Sequence, residues 1–535
     1  MSSLDPRAAR DKAATGSDQS GSALSGAPPP TGRTDLLKRA ALALSIANFC
    51  FLYMWSEILH VASDRRLQYV LAAPPDALFF LALLLDVVVL AAIVFLLLLL
   101  RRSGSRALKF SSSAVLVLAC LFALYQCQTV FNSLFQGVIR NRSILEIRLV
   151  LAAVILFLII LWRKRALHGL RTFFLVLSPL FFVFAAEGIV LYSHPSSARY
   201  TPHIAGQLPV TTAAPHHRVI WIIFDELDRR LAFDDRPARI QLPQFDALRR
   251  TSIFGDRVKS PAHNTLSAVL SLLFAKTIPA DEDVNLYAHP VHVKFSGCSQ
   301  WASLPAQQNI FRRARALGFN TAVSGWYHPY CRYFGSDLSA CASTVGASIA
   351  LIPQQLLRSQ PFLEKAAYLA NWQARSLPLA RRFGYIASMP HEAKYFRELH
   401  IIRNKGVMEQ GIQMLRNPKL NFVLLHLPIP HPPGIWNTRT QSFSTDARLD
   451  YIDNLELADR RLGQIRKVLE QTGDWDGSTI LVSADHPYRP GLWLNGLAAS
   501  VLPPAARLEM KRDTGQKWQP YIPFILKMPG QQTGI

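Results

Sequence analysis

The sequence predicts an N-terminal α-helical membrane bundle of about five spans, followed by an α/β domain with a mainly parallel sheet. Three observations predict it. Apolar residues concentrate in the first two hundred positions, in stretches of membrane-spanning length. Two β-branched runs far apart in the chain, Val219-Ile220-Trp221-Ile222-Ile223-Phe224-Asp225-Glu226 and Ser478-Thr479-Ile480-Leu481-Val482-Ser483-Ala484-Asp485-His486, end abruptly in acids or an Asp-His pair. Such runs read as strands buried on both faces. Between them, strand-like and helix-like patterns alternate, as in a sheet covered by helices.

At 535 residues the chain is too long for one ordinary core. Half of it is hydrophobic (50%) and its mean hydropathy is +0.15. The net charge of +22 is no nucleic-acid signature, because no lysine-rich tract, RNA-binding motif or zinc-finger spacing accompanies it. Much of the excess lies in short loops between apolar runs, where it orients a membrane protein.

Residues 1–34, rich in Ser, Gly, Ala and Pro, read as a disordered tail. The membrane region, 35–195, holds apolar stretches at 40–61, 76–100, 113–135, 147–162 and 172–193. Arg101, Arg102, Arg106 and Lys109 share one side with the tail, as do Arg163, Lys164, Arg165 and Arg171. The other side holds Arg65, Arg66, Arg140, Arg142 and Arg148. The positive-inside rule puts the tail in the cytoplasm. An odd number of spans then puts the C-terminal domain outside, which in a bacterium is the periplasm or cell exterior. Asp86 and Glu187 fall within spans, where acids pair, sit near the interface or line a path.

Residues 196–217 read as a linker and 218–535 as the extracytoplasmic domain. After the Val219 strand come a helix at 305–317, a strand from Asn320 to Gly325, a helix at 392–416 and a strand from Leu420 to Leu427. An amphipathic helix at 447–471 delivers the chain to the strand ending at Asp485, and a last strand spans Ile522 to Lys527. Of the six cysteines, Cys50, Cys120 and Cys127 lie in spans. Cys298, Cys331 and Cys341 can form one disulfide in an oxidising compartment, and the short separation favours Cys331–Cys341.

In open α/β sheets ligands sit beyond the carboxyl ends of the strands. Asp225 and Asp485-His486 can therefore meet at one divalent metal, and Glu226 is a supporting acid or the rival ligand. The segment Ser260-Pro261-Ala262-His263-Asn264-Thr265 runs into an apolar helix. Thr265 in that first turn is either a helix cap or a nucleophile, since free N–H groups and a metal both stabilise an ionised hydroxyl. His431, in the stiff Pro430-His431-Pro432-Pro433 run, is a candidate to stabilise an oxyanion or protonate a leaving group. His426, Asn264 and Arg489 are candidate substrate contacts, Arg489 because a guanidinium grips anions bidentately.

This constellation resembles the alkaline phosphatase/sulfatase superfamily. More narrowly it resembles membrane-anchored, sulfatase-like proteins related to lipoteichoic-acid synthases and phosphoethanolamine transferases. Asp225 matches a strand-terminal metal acid. Thr265-Leu266-Ser267-Ala268-Val269-Leu270-Ser271-Leu272-Leu273 matches the nucleophile helix apart from a proline, and Asp485-His486 matches the metal signature. His426 to Pro433 looks like the substrate-side histidine loop, and Asp453 to Gly463 like the helix before the metal strand. The Cys/Ser-x-Pro-x-Arg motif of true sulfatases is absent, and Tyr521 stands where several relatives place a further metal histidine.

The resemblance implies an alkaline-phosphatase-like domain with one metal, Mn²⁺, Zn²⁺, Mg²⁺ or Ca²⁺, held by Asp225, Thr265, Asp485 and His486. It implies a hydrolase or transferase of phospho-esters at the cell envelope, with a membrane lipid or envelope glycan as partner and no nucleic acid. The alternatives are a catalytically silent envelope-binding domain and a sulfate-ester hydrolase.

Overall fold

A computed structural model describes residues 32–63, 76–101, 105–134, 163–193, 208–211, 217–286, 290–345, 360–375, 390–495, 502–515 and 518–535. Among them three helices are long and apolar enough to cross a membrane: Ala77–Leu100, Arg106–Val130 and His168–Ser193. They coincide with three of the expected spans. The stretch at 40–61 is divided between helices Arg33–Cys50 and Leu52–Ser63, which meet at Phe51. The stretch at 147–162 lies outside the described residues. Close packing without a hydrophobic drive needs small residues. Gly188 supplies one, since a Cβ there would lie 2.0 Å from the Phe80 ring that stacks on Tyr192 at 5.2 Å.

The α/β domain is built on a seven-stranded sheet. From one edge its order is Ile253–Phe254, Phe524–Lys527, Thr479–Ala484, Val219–Asp225, Phe422–Pro430, Thr321–Tyr327 and Ala340–Val345. The last five of these run parallel. The expected mainly parallel sheet holds over those five strands, and the sheet as a whole is mixed, because 524–527 pairs antiparallel with both 479–484 and 253–254. The chain leaves strand 479–484 and re-enters the sheet from that same end. A parallel strand would have needed a crossover back.

Alternate residues of the central strands feed two hydrophobic layers, as period-2 geometry requires. Ile220, Ile222 and Phe224 pack with Phe245, Met408 and Leu462 from helices Pro243–Arg250, Pro390–Arg416 and Tyr451–Gln471. Ile223 and Leu424 pack on the other face with Val269 and Phe311 from helices Thr265–Phe274 and Ile310–Ala316. With helices on both faces, chemistry is left to the sheet's carboxyl edge. Asp450 starts helix 451–471 through a capping box with Asp453, which fixes its direction toward strand 479–484. Cys331 and Cys341 are disulfide-bonded, and Cys298 is exposed.

Candidate active site

Strands 219–225 and 479–484 lie side by side, with Phe224 in register with Ala484. Asp225 and Asp485-His486 therefore emerge together, and all three are fully buried. Glu226 follows with φ +71°, a conformation unusual for a non-glycine residue. It turns the chain sharply after Asp225, and its N–H donates to Asp485 Oδ1 at 3.0 Å.

Thr265 is the first residue of helix 265–274 and reaches the same point. Its Oγ1 lies 3.3 Å from Asp225 Oδ2 and 3.2 Å from His486 Nε2. The cap position belongs to Asn264, whose side chain does not cap. Instead Asn264 Oδ1 accepts from Arg489 at 3.2 Å, and its Nδ2 donates to Asp281 at 3.0 Å. The first-turn amides thus keep their capacity for an anion, and the Thr265 hydroxyl is left to the acids and His486.

Each acid in this cluster has one satisfied and one orphaned oxygen. Asp485 Oδ1 accepts from the backbone of Glu226 and His486, while Asp485 Oδ2 has no hydrogen-bond partner. Asp225 Oδ2 meets Thr265, while Asp225 Oδ1 has none. His426, in strand 422–430, pairs Nδ1 with Tyr330 Oη at 2.7 Å and leaves Nε2 without one. Those three residues offer ligand atoms within 4.8 Å of one another. His486 Nε2 lies 3.5 Å from Asp225 and 3.4 Å from Asp485. Its Nδ1 faces Pro487 O at 3.0 Å. A carbonyl only accepts, so Nδ1 carries the proton and Nε2 keeps its lone pair.

Buried polar atoms normally find partners. Two orphaned carboxylate oxygens and an orphaned imidazole nitrogen close together fit a divalent cation. Burial, and then the neighbouring Asp485 charge, push the Asp225 carboxyl well above its usual range. Burial lowers His426 to about 3, so its ring is neutral and ligand-competent.

The remaining expected residues divide. Arg489 is at the site, its N–H donating to Glu226 Oε1 at 2.7 Å and its Nε 3.6 Å from the same oxygen. Glu226 is thus a buried support that holds Arg489 and Asp485. His431 donates its backbone N–H to Asp225 O at 3.1 Å, and its Nδ1 faces Pro432 O at 2.8 Å. Its ring lies against Trp326 and near His400. His426, read from the sequence as a substrate contact, is placed instead among the metal-ligand atoms.

No family model matches the chain, and no curated protein matches it. Solved structures do match. They include members of the alkaline phosphatase superfamily. One such member, from Vibrio parahaemolyticus, has 10% identity and a TM-score of 0.32, covering 62% of this chain and 68% of its own. The lipoteichoic acid synthase LtaP from Listeria monocytogenes has 14% identity and a TM-score of 0.30, covering 62% and 71%. Ps i-CgsB has 14% identity and a TM-score of 0.36, covering 58% of this chain. The chain spans 66% of the length of Ps i-CgsB. Values this low assign no superfamily activity to this chain.

Two site residues escape both the strand-end reading and the superfamily motifs. His328 Nε2 donates to Thr265 O at 3.2 Å and so braces the helix start. Tyr330 orients His426, and its ring lies so close over Gly325 that a Cβ there would stand 2.5 Å from it. Strand 321–327 runs two residues beyond the expected Gly325. The same strand-end rule, applied from Tyr327, would have reached His328.

Proposed function

We propose that the protein is a metal-dependent phospho-ester hydrolase or transferase of the alkaline phosphatase superfamily, working through a covalent phospho-Thr265 intermediate. The observation that carries this reading is Thr265 Oγ1, within 3.3 Å of both Asp225 and His486 at a helix start whose cap side chain is turned away. Asp225, Asp485, His486 and His426 would hold the metal. When bound, that ion would supply Lewis-acid polarisation of the phosphoryl group and a lowered hydroxyl pKa. Two imidazoles among the donors favour Zn²⁺ or Mn²⁺ over Mg²⁺ or Ca²⁺, which prefer oxygen.

Thr265 Oγ1 attacks phosphorus, and the bond to the leaving oxygen breaks. Its proton passes to Asp225 Oδ2, 3.3 Å away, and on to the leaving oxygen. First-turn amides and Arg489 hold the phosphoryl oxygens. An acceptor then attacks phosphorus and releases Thr265. With Nδ1–H donated to Pro432 O, the neutral His431 can accept a hydrogen bond from the acceptor through Nε2, while the acceptor's proton passes by Asp225 to the released Thr265 oxygen. Water as acceptor gives hydrolysis, and a hydroxyl gives transfer. Three apolar helices in the same chain support a lipid headgroup or envelope glycan as substrate, with the domain on the outer face of a bacterial inner membrane.

The test uses the full chain in detergent with Mn²⁺, Zn²⁺, Mg²⁺ or Ca²⁺ in turn. Chromogenic phosphate monoester, phosphodiester and sulfate-ester substrates are assayed with Thr265→Ala as control. Metal-dependent turnover lost in Thr265→Ala supports the reading, and turnover intact in that variant would sink it.

A further inference from the structure

Helix Phe362–Arg375 belongs by sequence to the α/β half, following strand 340–345 and preceding helix 390–416. It packs elsewhere. Ala366 and Leu369 join the hydrophobic cluster of the membrane helices, with Phe362, Tyr368 and Trp372 around them. Tyr368 lies against Phe79, with ring centroids 6.4 Å apart.

Its buried face carries polar side chains beside the apolar ones. Lys365 and Gln373 are buried at 0% and 5% exposure. Leu363 is 71% exposed, and Ala367 and Ala370 are exposed with it. Beyond Glu364, which is exposed at the helix start, the outer face holds only Leu363, Ala367 and Ala370. Lys365 and Gln373 are buried with Ala366 and Leu369 against the bundle, as polar groups are in a helix that lipid reaches. The window 366–374 contains no charged residue.

The polar side chains find partners on the membrane helices. Lys365 Nζ pairs with Asp76 at 2.8 Å, and Asp76 caps the span Ala77–Leu100. Gln373 donates to the carbonyl of Cys50. The contact thus runs from the end of one span to the junction between helices 33–50 and 52–63. Fourteen residues give a helix of about 21 Å, shorter than the hydrocarbon core, so the segment enters the bilayer without crossing it.

We infer that helix 362–375 is a re-entrant membrane element, entering the bilayer from the side of the α/β domain and seating that domain on the bundle through Lys365 and Asp76. The Asp76 end of span 77–100 and the α/β domain then share one side of the membrane. This agrees with the charge-based topology and is independent of it.

The test is thiol accessibility on the full chain in native membranes. Ala367→Cys and Ala370→Cys are exposed to a membrane-impermeant maleimide, with the native, exposed Cys298 as internal control. Cysteines in lipid are expected to react at least about tenfold more slowly than Cys298, since the thiolate is the reactive form, and to react fully once the protein is unfolded in detergent. Labelling of both at the rate of Cys298 in intact membranes overturns the inference. The charge exchange Lys365→Asp with Asp76→Lys provides a second reading. Each single change should lower the folded yield and the exchange restore it; singles without effect would contradict the mooring role.

Discussion

Tyr330 Oη and His426 Nδ1 are 2.7 Å apart, and this bond orients the ring so that Nε2 faces Asp225 Oδ2 at 4.0 Å without a hydrogen-bond partner. It is the outer support of the candidate metal-ligand atoms. Tyr330→Phe keeps the ring that packs over Gly325 and removes only the hydroxyl. Loss of such a support lowers metal affinity about 10- to 100-fold. Metal titration followed by calorimetry measures it; an unchanged Kd would remove His426 from the ligand set.

Thr265→Ala should reduce turnover at least about 1000-fold, because among the described residues no other hydroxyl shares its contacts with Asp225 and His486. Metal stoichiometry should survive, since the buried acids remain. Mass spectrometry of wild-type protein quenched during turnover should find a phosphoryl adduct on Thr265. An adduct on a different residue would displace Thr265 as nucleophile.

Asp225→Asn and Asp485→Asn should act in opposite directions with and without metal. Asp225 is pushed up by burial and by Asp485, so the metal-free wild type holds two mutually repelling buried acids. Each Asn variant should therefore melt higher than wild type in chelator. With metal at 100 times its Kd, wild type should gain about 2.7 kcal/mol and the variants much less. Thermal melts with and without chelator check both signs.

The sequence made the sheet's carboxyl edge legible because buried parallel strands are continuous apolar runs, and the runs at 219–225 and 479–484 end in Asp225 and Asp485-His486. Asp225, Thr265, Asp485 and His486 converge as expected, and Arg489 joins them. The proximity of His426 to Asp225 and Asp485 was not legible, because an imidazole inside the fully buried run 422–430 reads as core and its orientation depends on Tyr330, which follows another strand. The last strand was legible but its antiparallel direction was not, because that is set by which end of the sheet the chain re-enters. Helix 362–375 carries no long apolar run, so only the burial of Lys365 against Asp76 reveals where it sits.

Asp459 shows how helix 451–471 supports the sheet it precedes. Its Oδ1 accepts from the N–H groups of Gln244 and Phe245 at 2.9 and 2.8 Å, capping helix 243–250 from outside that helix. Leu242, at the cap position, has no side chain able to do so. Asp459→Ala should cost about 1–2 kcal/mol. Urea denaturation measures it, and a change within about 0.5 kcal/mol, typical of ordinary surface positions, would show the cap to be dispensable.

The Cys331–Cys341 disulfide closes a loop with a sequence separation of 10, and it ties helix 330–334 to strand 340–345. Chain entropy predicts a loss of about 3 kcal/mol when so short a loop is opened. Cys331 also directly follows Tyr330, whose hydroxyl orients His426. Opening the bridge should therefore weaken metal binding as well as stability. The paired variant Cys331→Ser with Cys341→Ser separates the two effects. Its denaturation midpoint should fall, and its metal Kd should rise under conditions where it remains folded. A lower midpoint with an unchanged Kd would mean that packing over Gly325 alone fixes Tyr330, and that the bridge serves the fold without serving the site.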